Sequence, residues 1–376
     1  MSNQILIVGA GPLGLCLALA LKQGGLDPLV VDAREPGAAG RDPRVLALSP
    51  GTQQTLARLG VWQRLAPTAI DTIHISQKGG FGRAKLSAAD YGMPALGYVQ
   101  EAGALAQVLE AACLEQGVAF RHHAKVAGVF PEAGTARVSL EGGDVLGASL
   151  VAWAEGRLDE GEGVSVRDYG QHGVITLVHT REPRGRVAYE RFTPDGPLAL
   201  LPCGTGYAVV FTAAPDTARE LLALDESAFL ARLQAQFGER LHFTAAAPRH
   251  AYPLLLKVRM DPVGPRQAWL GNSAQTVHPV AGQGFNLALR DAWQLADLVL
   301  KTGGDAGAAA LLQRYHDRRR LDRRGTIGFT DLLVRLFSNA NPVLSATRGA
   351  GLYLLDVLPP ARDFVARRMM FGARAW

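Results

Sequence analysis

The sequence predicts an α/β protein in which a lobe with a buried parallel sheet is interleaved with a lobe built on an antiparallel sheet, followed by a helical C-terminal region. Three features predict this fold. The first 32 residues read as strand, glycine-rich turn, helix and strand; the middle of the chain holds short strand-like runs separated by turns; and apolar residues return at helical spacing after Gly284. A chain of 376 residues is long enough for two lobes.

The N-terminal unit begins with a short, continuous apolar run, Ile5 to Val8, which is typical of a strand buried on both faces. The run ends in glycines at positions 9, 11 and 14, in the spacing G-x-G-x-x-G, and a helical pattern follows. In such a unit Gly9 permits a sharp turn, Gly11 permits close approach of a pyrophosphate, and Gly14 permits the helix to pack against the sheet.

An acidic residue completes this unit. A glycine pair, Gly24 and Gly25, predicts the end of the helix, and a second buried strand, Leu29 to Val31, ends in Asp32. At that position a carboxylate can accept hydrogen bonds from a ribose diol. The unit therefore predicts dinucleotide binding, with a purely structural turn as the alternative.

The apolar segment from Ile5 to Leu21 could be mistaken for a secretory signal or a spanning helix. No positive charge precedes it in the first four residues, and Gly9, Gly11, Pro12 and Gly14 interrupt it, whereas a signal or spanning helix is continuous. We therefore interpret it as the strand and helix described above. No other stretch is long and apolar enough to span, so we expect a protein that is soluble or peripheral on a membrane.

The middle of the chain predicts the second lobe. Short runs rich in β-branched, leucine and aromatic residues are separated by turn signals, which predicts an antiparallel meander. The segment from Asp225 to Phe237 predicts a helix, and Ala268 to Leu270 predicts another buried strand. The strand-like runs are Val174 to Val178, Val187 to Phe192, Leu198 to Leu201 and Tyr207 to Thr212.

A second glycine-containing loop lies in the segment from Gly271 to Asn286. A small polar residue follows a strand end, and a Gly-x-Gly sequence at Gly282 and Gly284 opens a long amphipathic helix. Backbone N–H groups can converge there on a negative group. Two such loops predict a long cofactor with one charged end at each loop, and two unrelated turns are the alternative.

Composition and charge exclude several classes of protein. Hydrophobic residues make up 48% of the chain and charged residues 19%, which excludes low complexity and intrinsic disorder. Lysine plus arginine exceeds aspartate plus glutamate by 39 − 34 = +5, which suits an anionic ligand or a membrane surface without requiring nucleic acid. The widely spaced Cys16, Cys113 and Cys203 exclude a disulfide framework and a CxxC zinc site. We expect a reducing compartment and no metal site.

One segment is unusually rich in arginine. Between Gln313 and Arg324 there are six arginines, with Asp317 and Asp322 among them. Alternating charges on a helix predict a solvated, salt-bridged face, and a nucleic-acid patch is the alternative. We expect no nucleic-acid partner.

Several stretches together resemble the group A flavin monooxygenases of the para-hydroxybenzoate hydroxylase fold. They are the first glycine motif with Asp32, the stretch from Arg41 to Leu48, and the segment from Gly271 to Asn286. Within that group, the stretches from Tyr189 to Pro202 and from Ala274 to Asn286, and the tail from Tyr315 to Asp356, are similar to the aromatic ring hydroxylases of ubiquinone biosynthesis. The resemblance spans nearly the whole chain.

The resemblance implies FAD as cofactor and NAD(P)H as co-substrate, with O2 used to hydroxylate the ring of a prenylated phenol or quinol. It implies the ribose on Asp32, the pyrophosphate near Gly11 and Asn272, and the isoalloxazine against the loop, with Arg44 nearby. The N-terminus of the helix after Gly284 would stabilise the negative charge of the reduced ring. The cofactor-binding residues so expected are Gly9, Gly11, Gly14, Asp32, Arg44, Asn272, Pro279, Gly282, Gln283, Gly284 and Asn286.

The expected chemistry lies mainly on the flavin, so no protein nucleophile is required. His278 is the one titratable residue inside the second loop. It is a candidate to assist deprotonation of the phenol. A structural role, in which it forms a hydrogen bond with the backbone, is the preferred alternative.

The predicted elements and the family resemblance together give expected domain boundaries. We expect a Rossmann-like FAD-binding domain from residues 1–75, 96–160 and 260–310, interleaved with an antiparallel β-sheet substrate domain from residues 76–95 and 161–259. Residues 311–376 are expected to form a helical C-terminal region. We expect the protein in the cytoplasm, peripherally on the inner membrane.

The tail beyond Thr326 is leucine-rich and carries scattered arginines. A long prenyl substrate is nearly insoluble, so we expect this tail to contact a membrane surface or a biosynthetic complex. The alternative is that its leucines cap the core of the flavin lobe. The residues concerned are Leu332, Leu333, Leu336, Phe337, Leu352, Leu354, Leu355 and Leu358, with Arg335, Arg362, Arg367 and Arg368.

One departure from the family pattern concerns Glu155. The family shows a strand ending in an Asp-Gly pair with a serine soon after, whereas this chain has Glu155-Gly156 and no serine until Ser165. The additional methylene displaces the carboxylate by roughly 1.5 Å. This leaves two alternatives open: a flavoenzyme of the same fold acting on another substrate, and a non-catalytic FAD-binding subunit of a biosynthetic assembly.

Overall fold

The structure is a computed structural model that describes residues 4–80, 82–182, 185–337 and 357–372. The strands, in chain order, are β1 (Ile5–Val8), β2 (Leu29–Val31), β3 (Val45–Leu48), β4 (Thr68–Ile70), β5 (Thr72–Gln77), β6 (Arg83–Ser87), β7 (Gly97–Glu101), β8 (Ala119–Arg121), β9 (Val126–Glu132), β10 (Thr135–Leu140), β11 (Val145–Ala148), β12 (Leu150–Trp153), β13 (Val164–Thr180), β14 (Val187–Thr193), β15 (Gly196–Cys203), β16 (Gly206–Ala213), β17 (Phe243–Ala246), β18 (His250–Arg259), β19 (Val263–Gly264), β20 (Gln267–Trp269) and β21 (Gln275–Thr276). The α-helices are α1 (Pro12–Gln23), α2 (Pro50–Arg58), α3 (Ala102–Glu115), α4 (Pro215–Ala223), α5 (Glu226–Phe237), α6 (Gln283–Thr302), α7 (Ala309–Phe337) and α8 (Pro359–Phe371).

The first lobe is built on a six-stranded sheet with the strand order β19-β20-β12-β1-β2-β8. From β20 to β8 all neighbouring strands are parallel, and β19 adds an antiparallel edge. Ile5 and Ile7 of β1 face a core shared with α1, α3 and α6, while Leu6 and Val8 face the small sheet β9-β10-β11. Burial on both faces explains why β1 is a continuous apolar run rather than an alternating one.

The second lobe is built on a large sheet with the order β21-β18-β13-β16-β15-β14-β5-β6, and β17 pairs with β13 at its end. Its pairs are antiparallel except that of β14 with β5, which is parallel. The predicted meander is therefore right for β14, β15 and β16 but wrong for β13, which pairs with β16 instead of β14. Short turns join β14 to β15 and β15 to β16, whereas β13 ends at Thr180 and β14 begins only at Val187, so no tight hairpin joins these two strands.

The two faces of the large sheet have different surroundings. One face packs on α4 and α5 through a core that includes Leu198, Leu200, Phe229 and Phe237. The other face packs on the three-stranded sheet β3-β7-β4 of the first lobe, through Ala188 and Ala208 against Ile70 and Val99. The second face therefore lies between the two lobes, next to the loops described below.

The domain boundaries stay a prediction. The boundary expected between residues 75 and 76 falls inside β5, and Thr72 to Gln77 pair throughout with β14. Residues Pro262 to Trp269 return the chain to the parallel sheet through β19 and β20, as the apolar run before Gly271 predicted. The predicted helix from Asp225 to Phe237 is confirmed as α5, with the Asp225 carboxylate as its N-cap.

The C-terminal region packs on the body of the protein. Val334 of α7 is buried with Phe192 and Val280, and Leu333 and Leu336 pack against this cluster. Ala366 and Met370 of α8 are buried with Leu86 and Leu96. Leu332 and Leu358 are exposed, while the predicted contact residues Leu352, Leu354 and Leu355 lie outside the described residues.

Within residues 4–80, 82–182, 185–337 and 357–372, no helix is both long enough and apolar enough to cross a bilayer.

Candidate functional site

The first glycine motif lies where β1 passes into α1, at the carboxyl edge of the parallel sheet. A Cβ on Gly9, whose φ is 111°, would lie 2.7 Å from the carbonyl oxygen of Ala154. A Cβ on Gly14 would lie 2.0 Å from the carbonyl oxygen of Gly9. The chain's own packing therefore requires glycine at both positions.

Gly11 is different from its two neighbours in the motif. Its φ of −82° is accessible to any residue, and no atom of the described residues lies within 4 Å of its Cβ position. It is the N-cap of α1 and has no side chain to satisfy the first N–H groups of the helix, and Pro12 follows it. The open space beside Gly11 therefore adjoins a helix N-terminus that favours an anion.

Asp32 is connected directly to this motif. Its side chain is 7% exposed, its Oδ2 accepts a hydrogen bond of 2.6 Å from the Ala10 N–H, and the Arg34 guanidinium donates to the same oxygen at 2.8 Å. Burial acts against the charge of Asp32, but the hydrogen bonds from Arg34 and Ala10 lower its pKa overall. The carboxylate is therefore ionised and positioned at the glycine motif. Arg34 was not predicted from the sequence, although its i, i+2 spacing from Asp32 was a signal.

The beginning of the second loop packs against the beginning of α1. Gly271 has a φ of 53°, and its Cβ would lie 2.5 Å from Leu13 Cδ2 and 2.9 Å from Ala288 Cβ. Asn272 follows in a short 3-10 helix, Gly271–Ser273, and its side chain is partly exposed. The structure therefore brings Asn272 to the same edge as Gly11, through Leu13.

Asn286 ties the second loop to the first lobe. Its Oδ1 accepts from the Ser49 N–H at 2.8 Å and from the Thr52 hydroxyl at 2.7 Å, while its Nδ2 donates to the carbonyls of Ala47 at 2.9 Å and Gly282 at 2.7 Å. All four hydrogen-bonding positions of the amide are thereby used within the chain. The side chain fixes the loop against the end of β3.

The loop itself is held in a constrained conformation. Ala281 and Gly282 both have left-handed φ values, 62° and 59°, and a Cβ on Gly282 would lie 2.6 Å from Ala47 Cβ. A left-handed alanine is strained and persists only where its surroundings fix it. Gly284, in the first turn of α6, resembles Gly11, because the nearest described atom to its Cβ position is Val277 Cγ2 at 3.9 Å. Space is therefore left at a second helix N-terminus.

The remaining expected cofactor residues surround this loop. Gln283 donates to the carbonyl of Ala281 at 3.1 Å and to that of Met369 in α8 at 3.4 Å, so it connects the loop to the tail. Pro279 is exposed. Arg44 lies just before β3, and its Nη2 donates to Asp42 Oδ2 at 2.6 Å.

His278 is buried at the start of the loop, with 1% of its surface exposed. Its Nδ1 accepts a hydrogen bond of 3.1 Å from the Val280 N–H, and Tyr169 packs edge-to-face at a ring distance of 5.5 Å. Burial lowers the pKa of His278 to about 4, so the ring is neutral at physiological pH with its proton on Nε2. No described residue forms a hydrogen bond with Nε2.

The arginine-rich segment forms a buried ion network, which corrects the prediction of a solvated face. Arg319 Nε donates to Asp291 at 2.6 Å, and its Nη1 donates to Asp322 at 2.7 Å. Arg290 also donates to Asp322, at 2.7 Å. Burial opposes the charge of Asp322, but Arg290 and Arg319 lower its pKa to about 2. Arg323 is also buried, whereas the other four arginines of the segment, Arg314, Arg318, Arg320 and Arg324, are exposed, as predicted.

This network reaches the second loop. Asp291 Oδ2 accepts from the Gly271 N–H at 3.1 Å and from Gln275 Nε2 at 2.8 Å. Arg323 Nε in turn donates to Gln275 Oε1 at 2.6 Å. Asp291 was not predicted because nothing in the sequence shows that α7 lies against α6. The Arg319–Asp322 spacing of i, i+3 was the one available signal.

Two cavities lie on opposite sides of the large sheet. A cavity of about 80 Å³ lies between the loop and α8 and is lined by residues that include Ile73, Gly282 and Met370. A larger one, about 380 Å³, is lined by residues that include His74, Arg191 and Phe237, on the side of α5. The sheet separates the larger cavity from both glycine loops.

Known proteins are similar to this chain over nearly its whole length. A family model described as an FAD binding domain matches residues 2–329. Ubiquinone hydroxylase UbiL of Rhodospirillum rubrum is 33% identical over 98% of this chain and 89% of its own. The 3-demethoxyubiquinol 3-hydroxylase of Escherichia coli is 31% identical over 94% of this chain and 95% of its own.

A solved structure shows the same fold. The p-nitrophenol 4-monooxygenase PnpA from Pseudomonas putida superposes with a TM-score of 0.79 at 19% identity, covering 99% of this chain and 100% of its own. The expected α/β fold, in which an FAD-binding lobe is interleaved with an antiparallel sheet, is thereby confirmed. The chain therefore belongs to the FAD-binding aromatic-ring monooxygenases, among the relatives of the ubiquinone hydroxylases.

Proposed function

We propose that this chain hydroxylates the aromatic ring of a prenylated phenol or quinol intermediate of ubiquinone biosynthesis, with FAD as cofactor and NAD(P)H and O2 as co-substrates. The observation that carries the proposal is the pair of open glycines, Gly11 and Gly284, each at a helix N-terminus and each left without a neighbour that requires glycine. The identity of 31–33% to two ubiquinone hydroxylases supports assigning those spaces to the two ends of an FAD site.

The residues present fit FAD. The pyrophosphate would lie beside Gly11 at the N-terminus of α1, where the missing Cβ leaves room, with Asn272 on the other side. The ribose would bind Asp32, and Arg34, whose side chain is 51% exposed, can move aside. The isoalloxazine would lie against the loop from Pro279 to Gly284. Asn286 would shape this loop without touching the cofactor, since its amide is fully used inside the chain.

Bound FAD, reduced by NAD(P)H, would supply the activation of O2. The residues of this chain would bind and orient the cofactor and the substrate and would shield them from water. The uncapped N-terminus of α6 would stabilise negative charge on the ring, and Gly284 would allow close approach. His278 is neutral, and its Nδ1 bond to Val280 holds the loop, so we assign it a structural role.

Membrane contact by the C-terminal tail is part of the same proposal. We propose that the tail contacts an anionic membrane surface, with the protein bound peripherally. In the described part of the tail, Leu332 and Phe364 are each 53% exposed, and Arg335 and Arg367 are exposed near them in sequence. Apolar and basic groups exposed together are typical of interfacial binding.

The test is turnover by the purified holoenzyme. A short-chain prenylated phenol is incubated with NADH or NADPH under ¹⁸O2, and the products are analysed by mass spectrometry. We expect a hydroxylated ring carrying one labelled oxygen. Oxidation of NAD(P)H with this phenol left unchanged would favour another substrate.

A second candidate, a non-catalytic FAD-binding subunit, is favoured by Glu155. This residue lies two positions after the end of β12, with its Cα 3.0 Å from the Cβ position of Gly9. Partial burial, together with the charge of Asp32, raises the pKa of Glu155 above its usual value. In the same experiment, this candidate would be supported if the wild type bound FAD but did not oxidise NAD(P)H, and if a Glu155→Asp variant regained NAD(P)H oxidation.

A further inference from the structure

An acid that has no assigned role lies on the face of the large sheet between the two lobes. Glu190 is in the middle of β14, paired with Ile75 of β5 on one side and Ala199 of β15 on the other. The row of paired residues continues across the sheet. It consists of Ala84, Ile75, Glu190, Ala199, Val210, Ile175 and His250. Glu190 is the one acid in this row.

The neighbours of Glu190 along β14 establish which way it points. Successive side chains of a strand alternate between faces. Tyr189 packs against the core on the α4 and α5 side. Ala188 packs instead with Ile70 and Val99 of the first lobe, and Phe192 packs with Val280 of the second loop. Glu190 therefore faces the first lobe, between the apolar cluster of Ala188 and that of Phe192.

The contacts of Ile75 place Glu190 beside the second loop. This side chain, the β5 neighbour of Glu190, packs against the cluster of Phe192, Val280 and Val334. Val280 is part of the 3-10 helix Val280–Gly282, which leads into α6. Glu190 therefore lies on the face of the sheet that is turned toward the loop that would hold the flavin ring.

One oxygen of the Glu190 carboxylate, Oε1, has no partner among the described residues, although the residue as a whole is partly exposed. Glu190 Oε1 is closed from solvent and has no hydrogen bond with any described residue. Burial alone raises the pKa of Glu190 to about 7. Titratable groups near this face are His250 at the end of the row, and Tyr169 and His278 beside Val280. Asp331 and Arg167 are paired with each other behind Tyr169, so none of these charges compensates Glu190.

A buried carboxylate oxygen without a hydrogen-bond donor costs folding free energy, and the surrounding packing does not require a carboxylate. Ile75 and Ala199 on either side show that an apolar residue would suit this row. A strained or unsatisfied group at a site between two lobes indicates a ligand that completes it. A ring hydroxyl would supply the missing donor.

We propose that Glu190 is a catalytic residue that binds the ring hydroxyl of the phenolic substrate and accepts its proton. This assignment rests on the proposed function. The phenolic O–H bond breaks, the proton forms an O–H bond on Glu190, and the electron pair stays on the phenolic oxygen. Electron density rises at the ring carbons to be hydroxylated. The proton is released to solvent when the product leaves, which restores the carboxylate.

The experiment compares FAD-loaded wild type with Glu190→Gln, Glu190→Asp and the control Glu220→Gln, with a short-chain prenylated phenol as substrate. Glu220 is exposed on α4, on the opposite side of the same sheet. In the wild type and the control, kcat/KM is expected to rise with pH through about 7, because the carboxylate must be ionised. Glu190→Gln is expected to lose this rise and about 10²- to 10⁴-fold in kcat. Glu190→Asp is expected to keep the rise at a lower rate.

Two further measurements separate catalysis from structure. Anaerobic reduction of FAD by NAD(P)H is expected to be equal in wild type and Glu190→Gln. The second measurement is the free energy of unfolding as a function of pH. A carboxyl whose folded pKa lies above its unfolded value of 4.5 costs stability that grows as pH rises from 4.5 to about 7. Glu190→Gln is therefore expected to equal wild type at pH 4 and to exceed it at pH 8.

The outcomes are distinguishable. Wild type that oxidises NAD(P)H without hydroxylating a prenylated phenol would overturn the proposed function and, with it, this role of Glu190. An active wild type beside a Glu190→Gln variant that keeps its kcat and its pH profile would overturn the role of Glu190 alone. The same conclusion follows if Glu190→Asp, which retains a carboxylate, also loses the rise with pH.

Discussion

The glycines of the two loops serve different purposes, and the space around each Cβ position separates them. Gly9 and Gly14 are required by neighbouring backbone, whereas Gly11 faces open space with an ordinary φ. We predict that Gly11→Val folds but loses bound FAD, because the side chain would occupy the approach of the pyrophosphate. The measurement is flavin absorbance per protein, together with the thermal midpoint of the apoprotein.

Gly147→Val is the matched control for this change. Gly147 lies in β11, is exposed, and has Thr135 Oγ1 at 3.9 Å from its Cβ position as the nearest described atom. This variant is expected to keep its flavin and its midpoint. A Gly11→Val protein that retains wild-type flavin content would show that the pyrophosphate does not bind there.

Gly284 offers a second test in the same terms. The residue opens α6, and Val277 is its nearest described neighbour at 3.9 Å. We predict that Gly284→Val loses more turnover than FAD, since this loop would meet the ring while the first motif holds the adenine end. Flavin occupancy and NAD(P)H oxidation are measured in one preparation. Equal proportional loss of both would mean that the loop is a general binding element.

Sequence could identify residues whose role depends on local geometry. The G-x-G-x-x-G spacing and the acid after β2 were enough to predict that Asp32 meets the first motif, and its bond to Ala10 agrees. Sequence could not identify Arg34 as the ion-pair partner of Asp32, nor that Oε1 of Glu190 has no hydrogen-bond partner among the described residues. Both depend on what else surrounds the carboxylate, and side-chain type alone does not reveal that.

In helix α7 the charge pattern correctly predicted salt bridges but wrongly predicted that all of them are exposed to solvent. Charge alternation predicted salt bridges, and they form, but those of Arg319 and Asp322 are buried against α6. The periodicity of a helix gives its faces, not its neighbours. A helix with arginine on its buried side is unexpected because isolated charges are costly to bury, and only the pairing with Asp291 and Asp322 makes it tolerable.

The network gives a prediction for stability. Asp322→Asn would leave Arg319 and Arg290 buried with one negative charge fewer, and breaking a buried pair costs about 3–5 kcal/mol. Asp317→Asn on the exposed side of α7 is the control, with an expected cost below about 0.5 kcal/mol. Urea unfolding of both variants at pH 7 measures the difference. A cost for Asp322→Asn as small as that of the control would contradict the network's role.

The pH dependence of the same group follows from its pKa. Asp322 has a folded pKa of about 2, below its ordinary value of 3.8. Its contribution is therefore complete above pH 3.8 and is lost as pH falls toward 2. The difference in unfolding free energy between wild type and Asp322→Asn is accordingly expected to shrink on acidification.

Assembly of the site requires parts of the chain that are far apart in sequence. Asn286 joins the second loop to Ser49 and Ala47, and Gly271 packs on Leu13. The family resemblance implied only that Gly11 and Asn272 share one end of the cofactor and that Arg44 lies near the second loop, whereas periodicity could predict only the separate elements. The order of the strands in the large sheet was the least predictable feature, because β5 enters it from residues 72–77, far ahead of its neighbour β14.

The tail presents the last prediction, since it both packs on the body and exposes apolar groups. Val334 and Met370 are buried, so truncation after Gly325 would open two clusters and remove Arg368, which lies 3.8 Å from Asp322. We therefore expect the truncated chain to be unstable, which makes truncation a poor test of membrane contact. Substitution of exposed residues alone leaves the core intact.

We predict that Leu332→Ser with Phe364→Ser keeps FAD and the thermal midpoint but floats less well on anionic vesicles than the intact protein. Each of these side chains is 53% exposed, and burial of apolar surface in a bilayer stabilises binding at about 25 cal/mol per Å². Leu114→Ser is the control, because Leu114 is 61% exposed on α3, outside the tail. Co-flotation with vesicles of anionic and of neutral lipid is measured for all three proteins. Equal flotation of the double variant and the control would mean that these two side chains are not the contact, and the leucines of α7 would then serve the core alone.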